Sequence, residues 1–293
     1  RNYVANQVAR ALVTQRSHTL GLILPDIGDH FFSALAQRLE KKCRELGYYL
    51  MFANSDDCLD TELQLISSFG ARGVDGLFVI QSNQSYAHPH TFQQALSQLS
   101  VPYIMVDRSL DHPPCDVVRY DNILGGQLAT QHLLQAGHRD IACIYMDDGL
   151  GNGAHRLQGF RSAMEQAGLT VPSDRMIPGN NRPDSGERAA YAILDSRATA
   201  VFVCNGMMAL GLLRALHQLG VCVPEDLSVV SYDNVLQEYL MDVQLTTVVQ
   251  DLDTMAQQAA TLMARRIDGE LEDYVQLSLS PTLQCRDSVR PPL

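Results

Sequence analysis

The feature that most constrains this chain is a repeated alternation of short apolar runs with amphipathic helical stretches. Leu20–Leu24 is apolar and is stopped by Pro25. Leu35, Leu39, Cys43 and Leu46 then recur at helical spacing before Gly47. Tyr48–Phe52 reads as the next strand, followed by a helix around Thr61–Phe69, strand Leu77–Ile80, a helix near Phe92–Leu99 and strand Tyr103–Asp107. The alternation then restarts. Strand Ile141–Met146 precedes helix Arg156–Ala167, a helix near Gly186–Leu194 leads to strand Ala200–Cys204, and helix Met207–Leu219 leads to strand Leu227–Tyr232. Repetition of βαβ units produces mostly parallel sheets covered by helices on both faces. The fold class expected is α/β, with two similar Rossmann-like lobes joined near Tyr120–Asp121.

The chain has 293 residues, enough for two lobes of about 100–150 residues with separate cores. No apolar run approaches the roughly 18 residues of a membrane span, so no membrane partner is expected. Arg1–Arg10 lacks the apolar segment of an export signal. The seven cysteines are odd in number, form no CxxC, and include Cys143, Cys204 and Cys222 in or beside apolar runs. Free thiols in a reducing cytoplasm are therefore expected. The net charge of −11 excludes a chain that coats nucleic acid along its whole surface. The charge is uneven, however: residues 1–25 hold three Arg and no carboxylate, and the acidic body begins at Asp26.

In open parallel sheets, ligands sit beyond the carboxyl ends of the strands. The segments there are 25–32, 107–108, 147–156, 205–206 and 233–234, rich in carboxylates, amides and Arg, with Phe31 and Phe32 among them. Polyols need such a set: donors and acceptors for adjacent hydroxyls and a flat apolar face. Helix capping by Asp and Asn explains any one position equally well, but it does not explain the arginine or the paired phenylalanines.

These residues fall into motifs that resemble the lac repressor/galactose repressor family of bacterial transcription regulators. In chain order they are Tyr3 to Leu12 (YVANQVARAL), Leu20 to Pro25 (LGLILP), Val74 to Leu77 (VDGL), Val101-Pro102 leading to Asp107-Arg108, and Gly137 to Ile141 (GHRDI). They continue with Arg156 to Phe160 (RLQGF), Val201-Phe202 with Asn205, Val223 to Val229 (VPEDLSV), Tyr232-Asp233-Asn234 and Leu245 to Val248 (LTTV). The order over nearly the whole chain carries the resemblance.

The resemblance implies a periplasmic-binding-protein-like fold with an effector cleft between the lobes. It divides the chain into a hinge helix and linker (residues 1–17), an N-terminal lobe (18–120 plus 251–279) and a C-terminal lobe (121–250 plus 280–293). The family's helix-turn-helix head is expected to precede the hinge and to be missing here. By position Leu12 is the hinge wedge that enters the DNA minor groove. Asn6 and Arg10 join it as DNA-binding candidates, and Arg10 and Arg16 are placed to reach phosphates. Effector candidates are Phe31 and Phe32 for stacking, Asp107, Arg156, Asn205 and Asp233 for hydroxyls, Arg108 as a further donor or a partner of Asp107, and Asn152, Asn181 and Gln250. Asn181 stands where relatives often place an aromatic, and Gly206 replaces the family's usual Asp after Asn205.

The function implied is the effector-binding and dimerisation core of a sugar-responsive, DNA-binding regulator. Its expected partners are a sugar, polyol or sugar phosphate, operator DNA and a second copy of itself, without a cofactor or metal. A periplasmic-type sugar-binding protein shares the fold and is the alternative. An enzyme reading rests on Gly149–Ala154, which fits G-x-G-x-x-A, with Asp174 as a distant ribose acceptor. Asp174 lies in a turn-like stretch beside Pro172 rather than at a strand end, so a flexible cleft loop is expected instead. His88 and His90 form a lone pair without a third ligand at metal spacing and are expected in solvent.

Overall fold

Strands form where the sequence is apolar without interruption, because both faces of each sheet are covered. The computed structural model describes residues 16–110, 113–146, 151–233 and 243–292. In chain order these form β1 (Thr19–Leu24), α1 (His30–Glu45), β2 (Tyr49–Asn54), α2 (Leu59–Ala71), β3 (Gly76–Val79), the short α3 (Asn83–Ala87), α4 (Pro89–Ser97), β4 (Tyr103–Val106) and β5 (Asp116–Tyr120). Next come α5 (Asn122–Gln135), β6 (Ile141–Met146), α6 (Gly151–Gln166), β7 (Met176–Gly179), α7 (Pro183–Asp195), β8 (Ala200–Val203), α8 (Gly206–Gln218), β9 (Ser228–Tyr232) and β10 (Thr246–Val249). The chain ends with α9 (Leu252–Ile267), β11 (Gln276–Leu279) and β12 (Thr282–Gln284).

Two compact units result. The first comprises Arg1–Arg119 and Leu252–Leu279, the second Tyr120–Asp251 and Ser280–Leu293. Their sheets share one strand order: β2-β1-β3-β4-β5-β11 in the first and β7-β6-β8-β9-β10-β12 in the second. In the first, Leu22 lies opposite Phe52 on one side and Phe78 on the other, in parallel register. In the second, Cys143 lies between Met176 and Phe202. The antiparallel β10–β12 pair departs from the parallel pattern. Every residue of β3, β8 and β9 is buried. Each fully buried Leu, Val or Phe on these strands contributes about 1.5–3 kcal/mol relative to exposure.

Helices begin where a polar side chain can satisfy their first amides. Asp29 caps α1 by accepting from Phe31 N, and Asp121 caps α5 through Leu124 N. One boundary corrects the sequence reading. Helix α6 starts at Gly151, not Arg156, so Gly151–Gly153 is its first turn rather than a cleft loop. Glycine is a poor helix former, which gives the segment a loop-like pattern. Packing overrides it: a Cβ on Gly153 would overlap Met146 of β6. The two strand ends of greatest interest also depart from the regular pattern. Asp107 follows β4 with φ 62° and donates its amide to Val118 O of β5, at 2.9 Å. Asp233 follows β9 with φ 70° and donates its amide to Val248 O of β10, also at 2.9 Å. These are corresponding positions in the two units.

At the start of the described chain, Asp75 accepts from Ser17 N, Ser17 Oγ and His18 N. Arg16, expected to reach DNA phosphate, is ion-paired with Asp268 at 2.8 Å. Among the described residues, no helix is long and apolar enough to cross a membrane.

Candidate functional site

The second unit builds its strand-end site around one arginine. Arg156, on α6, is buried, with its guanidinium held on several sides. Nε donates to Asn122 Oδ1 at 2.8 Å, and Nη1 donates to Cys204 O at 2.8 Å. Nη1 also lies 3.6 Å from Asp233 Oδ2, and the guanidinium carbon sits 3.6 Å above the centre of the Tyr232 ring. A planar, delocalised cation suits this combination of stacking and forked donation, which an ammonium cannot reproduce. Two glycines let the supporting helices approach. A Cβ on Gly126 of α5 would overlap Arg156 O, and one on Gly159 of α6 would overlap Ile123 O. The close α5–α6 contact brings Asn122 within reach of Arg156.

Asp107, Asn181 and Asp233 all adopt left-handed backbone, with φ of 62°, 64° and 70°. Non-glycine residues enter this region rarely, although Asp and Asn do so more readily than most. Such conformations concentrate at functional sites, where surrounding structure holds them in place. Asp107 and Asp233 are both buried. The second unit also holds side chains with unmatched polar capacity. Both amide atoms of buried Gln250 and the buried Oδ1 of Asn181 have no hydrogen-bond partner among the described residues. Native interiors leave few such groups unpaired, and a bound polar molecule is one way to satisfy them.

The first unit's strand ends are arranged differently. Phe31 and Phe32 are buried and meet edge to face, with ring centres 5.5 Å apart. The Arg108 guanidinium lies 4.9 Å from the Phe32 ring centre. Arg108 Nη1 donates weakly to Gln81 O at 3.5 Å and lies 3.5 Å from Asp57 Oδ1. Its ion pair is thus with Asp57, where the sequence reading considered Asp107. Asp57 also accepts from Asn83 N and Nδ2, both at 2.7 Å. Desolvation raises the pKa of Asp29, which the hydrogen bond from Phe31 N and then the Arg108 charge oppose. The neighbouring Glu62 is fully buried, accepts from Ser82 N and from the Ser82 and Ser85 hydroxyls, and has its pKa raised by burial.

The remaining candidates divide. Asn205 Oδ1 caps α8 by accepting from Met207 N and Met208 N, so only its Nδ2 group remains to offer a ligand. Asn152 is half-buried in the first turn of α6. Asn6, Arg10 and Leu12 lie outside the described residues. His88 and His90 are exposed at the start of α4, and no group of three or more His, Cys, Asp or Glu among the described residues could hold a metal ion. Sequence reasoning missed Asn122, Tyr232, Asp57 and Gln81. Gln81 and Asn122 each lie two residues past a strand, β3 and β5, so strand-end position was an available signal for both.

Comparison with known proteins decides the family. Residues 130–289 match the model of the periplasmic binding protein-like domain. The HTH-type transcriptional regulator DegA of Bacillus subtilis is 30% identical over 290 residues, covering 99% of this chain and 86% of that protein. The chain belongs to the LacI family of transcription regulators. The ribose operon repressor of Escherichia coli K12 is also 30% identical, over 98% of this chain and 87% of its own length. The LacI-family regulator from Enterococcus faecium, solved with bound ribose, superposes with a TM-score of 0.82 at 30% identity, over 93% of this chain and 99% of that one. The LacI-family relatives are regulators rather than enzymes, and this sets aside the dinucleotide-turn reading of Gly149–Ala154.

Proposed function

We propose that this LacI-family chain is an effector-binding core whose ligand is a small polyhydroxylated molecule. Arg156, Asp233, Asn181 and Gln250 are its candidate polar contacts in the second unit, and Asp107, with Phe31 or Phe32 as an apolar face, is the candidate set of the first. The observation that carries this reading is the fixed, buried Arg156–Asp233 pair, in a unit that also holds the unpartnered side-chain atoms of Gln250 and Asn181. An arginine held by Asn122, Cys204 O and Tyr232 is preorganised, so a ligand gains its hydrogen bonds without ordering the side chain. A relative solved with bound ribose and another that is a ribose operon repressor make a pentose the first candidate.

Binding shifts the population of a DNA-competent state, by no more than the ligand's differential affinity for the two states. The protein acts in the cytoplasm on operator DNA, through the hinge residues Asn6, Arg10 and Leu12 and a head preceding them. It does so as a homodimer. Edge strand β2 exposes Tyr49 and Met51 on one face and Phe52 on the other, and Leu46, which closes α1, is exposed as well. A two-fold contact along β2 covers the open strand edge and part of this apolar surface. Isothermal titration of the 293-residue chain with ribose, xylose and glucose tests the effector assignment. Binding of at least one sugar, lost in Asp233→Asn, is the expected result; binding that survives this substitution unchanged overturns the site.

A further inference from the structure

We infer that Cys285 and His132 form a thiol–imidazole pair that makes Cys285 a modification site, S-thiolated by low-molecular-weight disulfides. The pair lies wholly within the second unit and does not depend on the effector assignment. Cys285 is a free, exposed cysteine. It directly follows β12, the outermost strand of the second sheet, so no further strand covers that edge. His132 stands in the last turn of α5, and its Nδ1 is 3.8 Å from Cys285 Sγ. The backbone on both sides of the cysteine is held. Gln284 pairs with Thr247 of β10, while Arg286 donates its amide to Thr246 Oγ1 at 2.9 Å and its Nη1 to Leu245 O at 2.7 Å. The sulfur is therefore presented to the imidazole by fixed chain rather than by a loose terminus.

The thiolate, not the thiol, attacks a disulfide, so a proton acceptor beside the sulfur promotes the reaction. Burial lowers the pKa of half-buried His132, which keeps its imidazole unprotonated at neutral pH. With its own proton on Nε2, the ring accepts from the thiol at Nδ1. As Sγ attacks one sulfur of the reagent, Nδ1 takes the thiol proton. The new S–S bond forms and the old one breaks, its electron pair leaving on the departing sulfur. That thiolate is then protonated by the imidazolium. One disulfide and one thiol enter, one mixed disulfide and one thiol leave, and no other oxidant is consumed. A second thiol reverses the step, so the cap is removable. The other cysteines lack this combination. Cys143 and Cys204 bring their sulfurs within 3.8 Å, yet both are buried and closed to a reagent. Cys222 is exposed, but among the described residues no hydrogen bond or ring contact involves its sulfur. Cys58 is drawn towards the thiolate by the amide and hydroxyl of Thr61, a different activation that makes it unsuitable as a reference.

The test is mass-spectrometric peptide mapping of the full chain during reaction with glutathione disulfide at neutral pH, which gives separate rates for Cys285 and Cys222 in one protein. A free thiol is only a few per cent ionised there, so activation has room for about thirtyfold at most. Cys285 is expected to react about tenfold faster than Cys222. His132→Gln keeps a polar side chain of similar reach that takes no proton. It is expected to bring the Cys285 rate down to that of Cys222 and to leave the Cys222 rate unchanged. An imidazole that merely packed over the sulfur would shield it, and its removal would speed the reaction instead. His132→Asn serves if the first variant does not fold. The check on folding is the continued absence of adducts at buried Cys43 and Cys143. Equal rates at Cys285 and Cys222 in the unaltered chain overturn the inference, whatever the variants do. A Cys285 rate that is unmoved or raised in a folded histidine variant overturns it as well.

Discussion

Replacing Arg156 with Met is expected to destabilise the second unit by about 3 kcal/mol, quite apart from any loss of effector binding. The magnitude follows from what the guanidinium touches. At 3.6 Å from Asp233 Oδ2, with both side chains buried, the pair interacts by about 4–5 kcal/mol at an effective dielectric constant near 20. Desolvation offsets part of this, but the cost is already met in the folded chain, so removing Arg156 takes its charge from the buried Asp233 carboxylate. Asn122 Oδ1 and Cys204 O lose charged donors at 2.8 Å, each worth about 1–3 kcal/mol if no water replaces them. Methionine keeps contact with the Tyr232 ring through its sulfur, which limits the packing loss. These contributions share one side chain and do not add. The low end of the range for a broken buried pair is therefore the appropriate figure.

A double-mutant cycle separates the electrostatic part. Asp233→Asn alone removes the Asp233 charge from Arg156. The combination Arg156→Met/Asp233→Asn removes both charges and is expected to recover about 2 kcal/mol relative to the sum of the single losses. Hydrogen exchange read by mass spectrometry on peptides from β6, α6 and β9 is the suitable assay, because it reports the second unit by itself. A chain with two units need not unfold in one step. Sugar titration of the same proteins supplies the contrast: stability returns in the double variant and affinity does not. Exchange in Arg156→Met matching the unaltered chain within about 0.5 kcal/mol would refute the view that these contacts preorganise the site.

Three other outcomes follow from particular residues. At Asp107, φ 62° makes glycine the better tolerated truncation; Asp107→Ala should be less stable than Asp107→Gly by about 1 kcal/mol in urea melts, although both lose the carboxylate. Burial raises the pKa of Glu62 above its unfolded value, so its contribution to stability is fullest at low pH and declines as pH rises through the folded pKa. Glu62→Gln should unfold within about 1 kcal/mol of the unaltered chain at pH 7.5, and the comparison should shift in favour of the unaltered chain by pH 5 in paired thermal melts. Among the seven cysteines, Cys43, Cys115, Cys143 and Cys204 are buried, and burial pushes the Cys43 and Cys115 thiols up to about 12. A thiol-reactive dye should therefore label Cys58, Cys222 and Cys285 quickly and the other four only on unfolding, a pattern that peptide mapping reads directly.

The α/β class was legible because buried parallel strands read as unbroken apolar runs. Ile141–Met146 and Ala200–Val203 announce themselves, and their burial on both faces is why. Helix α5 did not, since Gly125 and Gly126 interrupt its apolar face. The structure needs those glycines small, because a Cβ on Gly125 would overlap Tyr232 and one on Gly126 would overlap Arg156 O. Strand β5 carries Asp116 and Arg119 within a five-residue run, which obscures its strand character. Asp116 is tolerated buried there because Arg266 of α9, 150 residues away, reaches it with two hydrogen bonds of 2.8 Å and Val275 N donates to it at 2.7 Å. The same limit applies to the candidate site.

Position after a strand marked Asp107, Asp233 and Asn205 alike, yet nothing in their residue types separates them. Asn205 has extended backbone, φ −154°, and turns its Oδ1 back onto the first amides of α8. Asp107 and Asp233 take left-handed backbone and place their amides on the neighbouring strand, which extends the sheet by one bond and keeps the carboxylate out of helix capping. A short polar side chain after a strand can do either, and the choice depends on which carbonyl is within reach of its amide. For Asp107 that carbonyl belongs to Val118, and for Asp233 to Val248, each on a strand whose pairing only the folded sheet defines. β5 and β10, each next to the outermost strand of its sheet, hold the backbones of these two residues. Changes that loosen either strand should therefore weaken the proposed effector binding without touching a proposed contact residue.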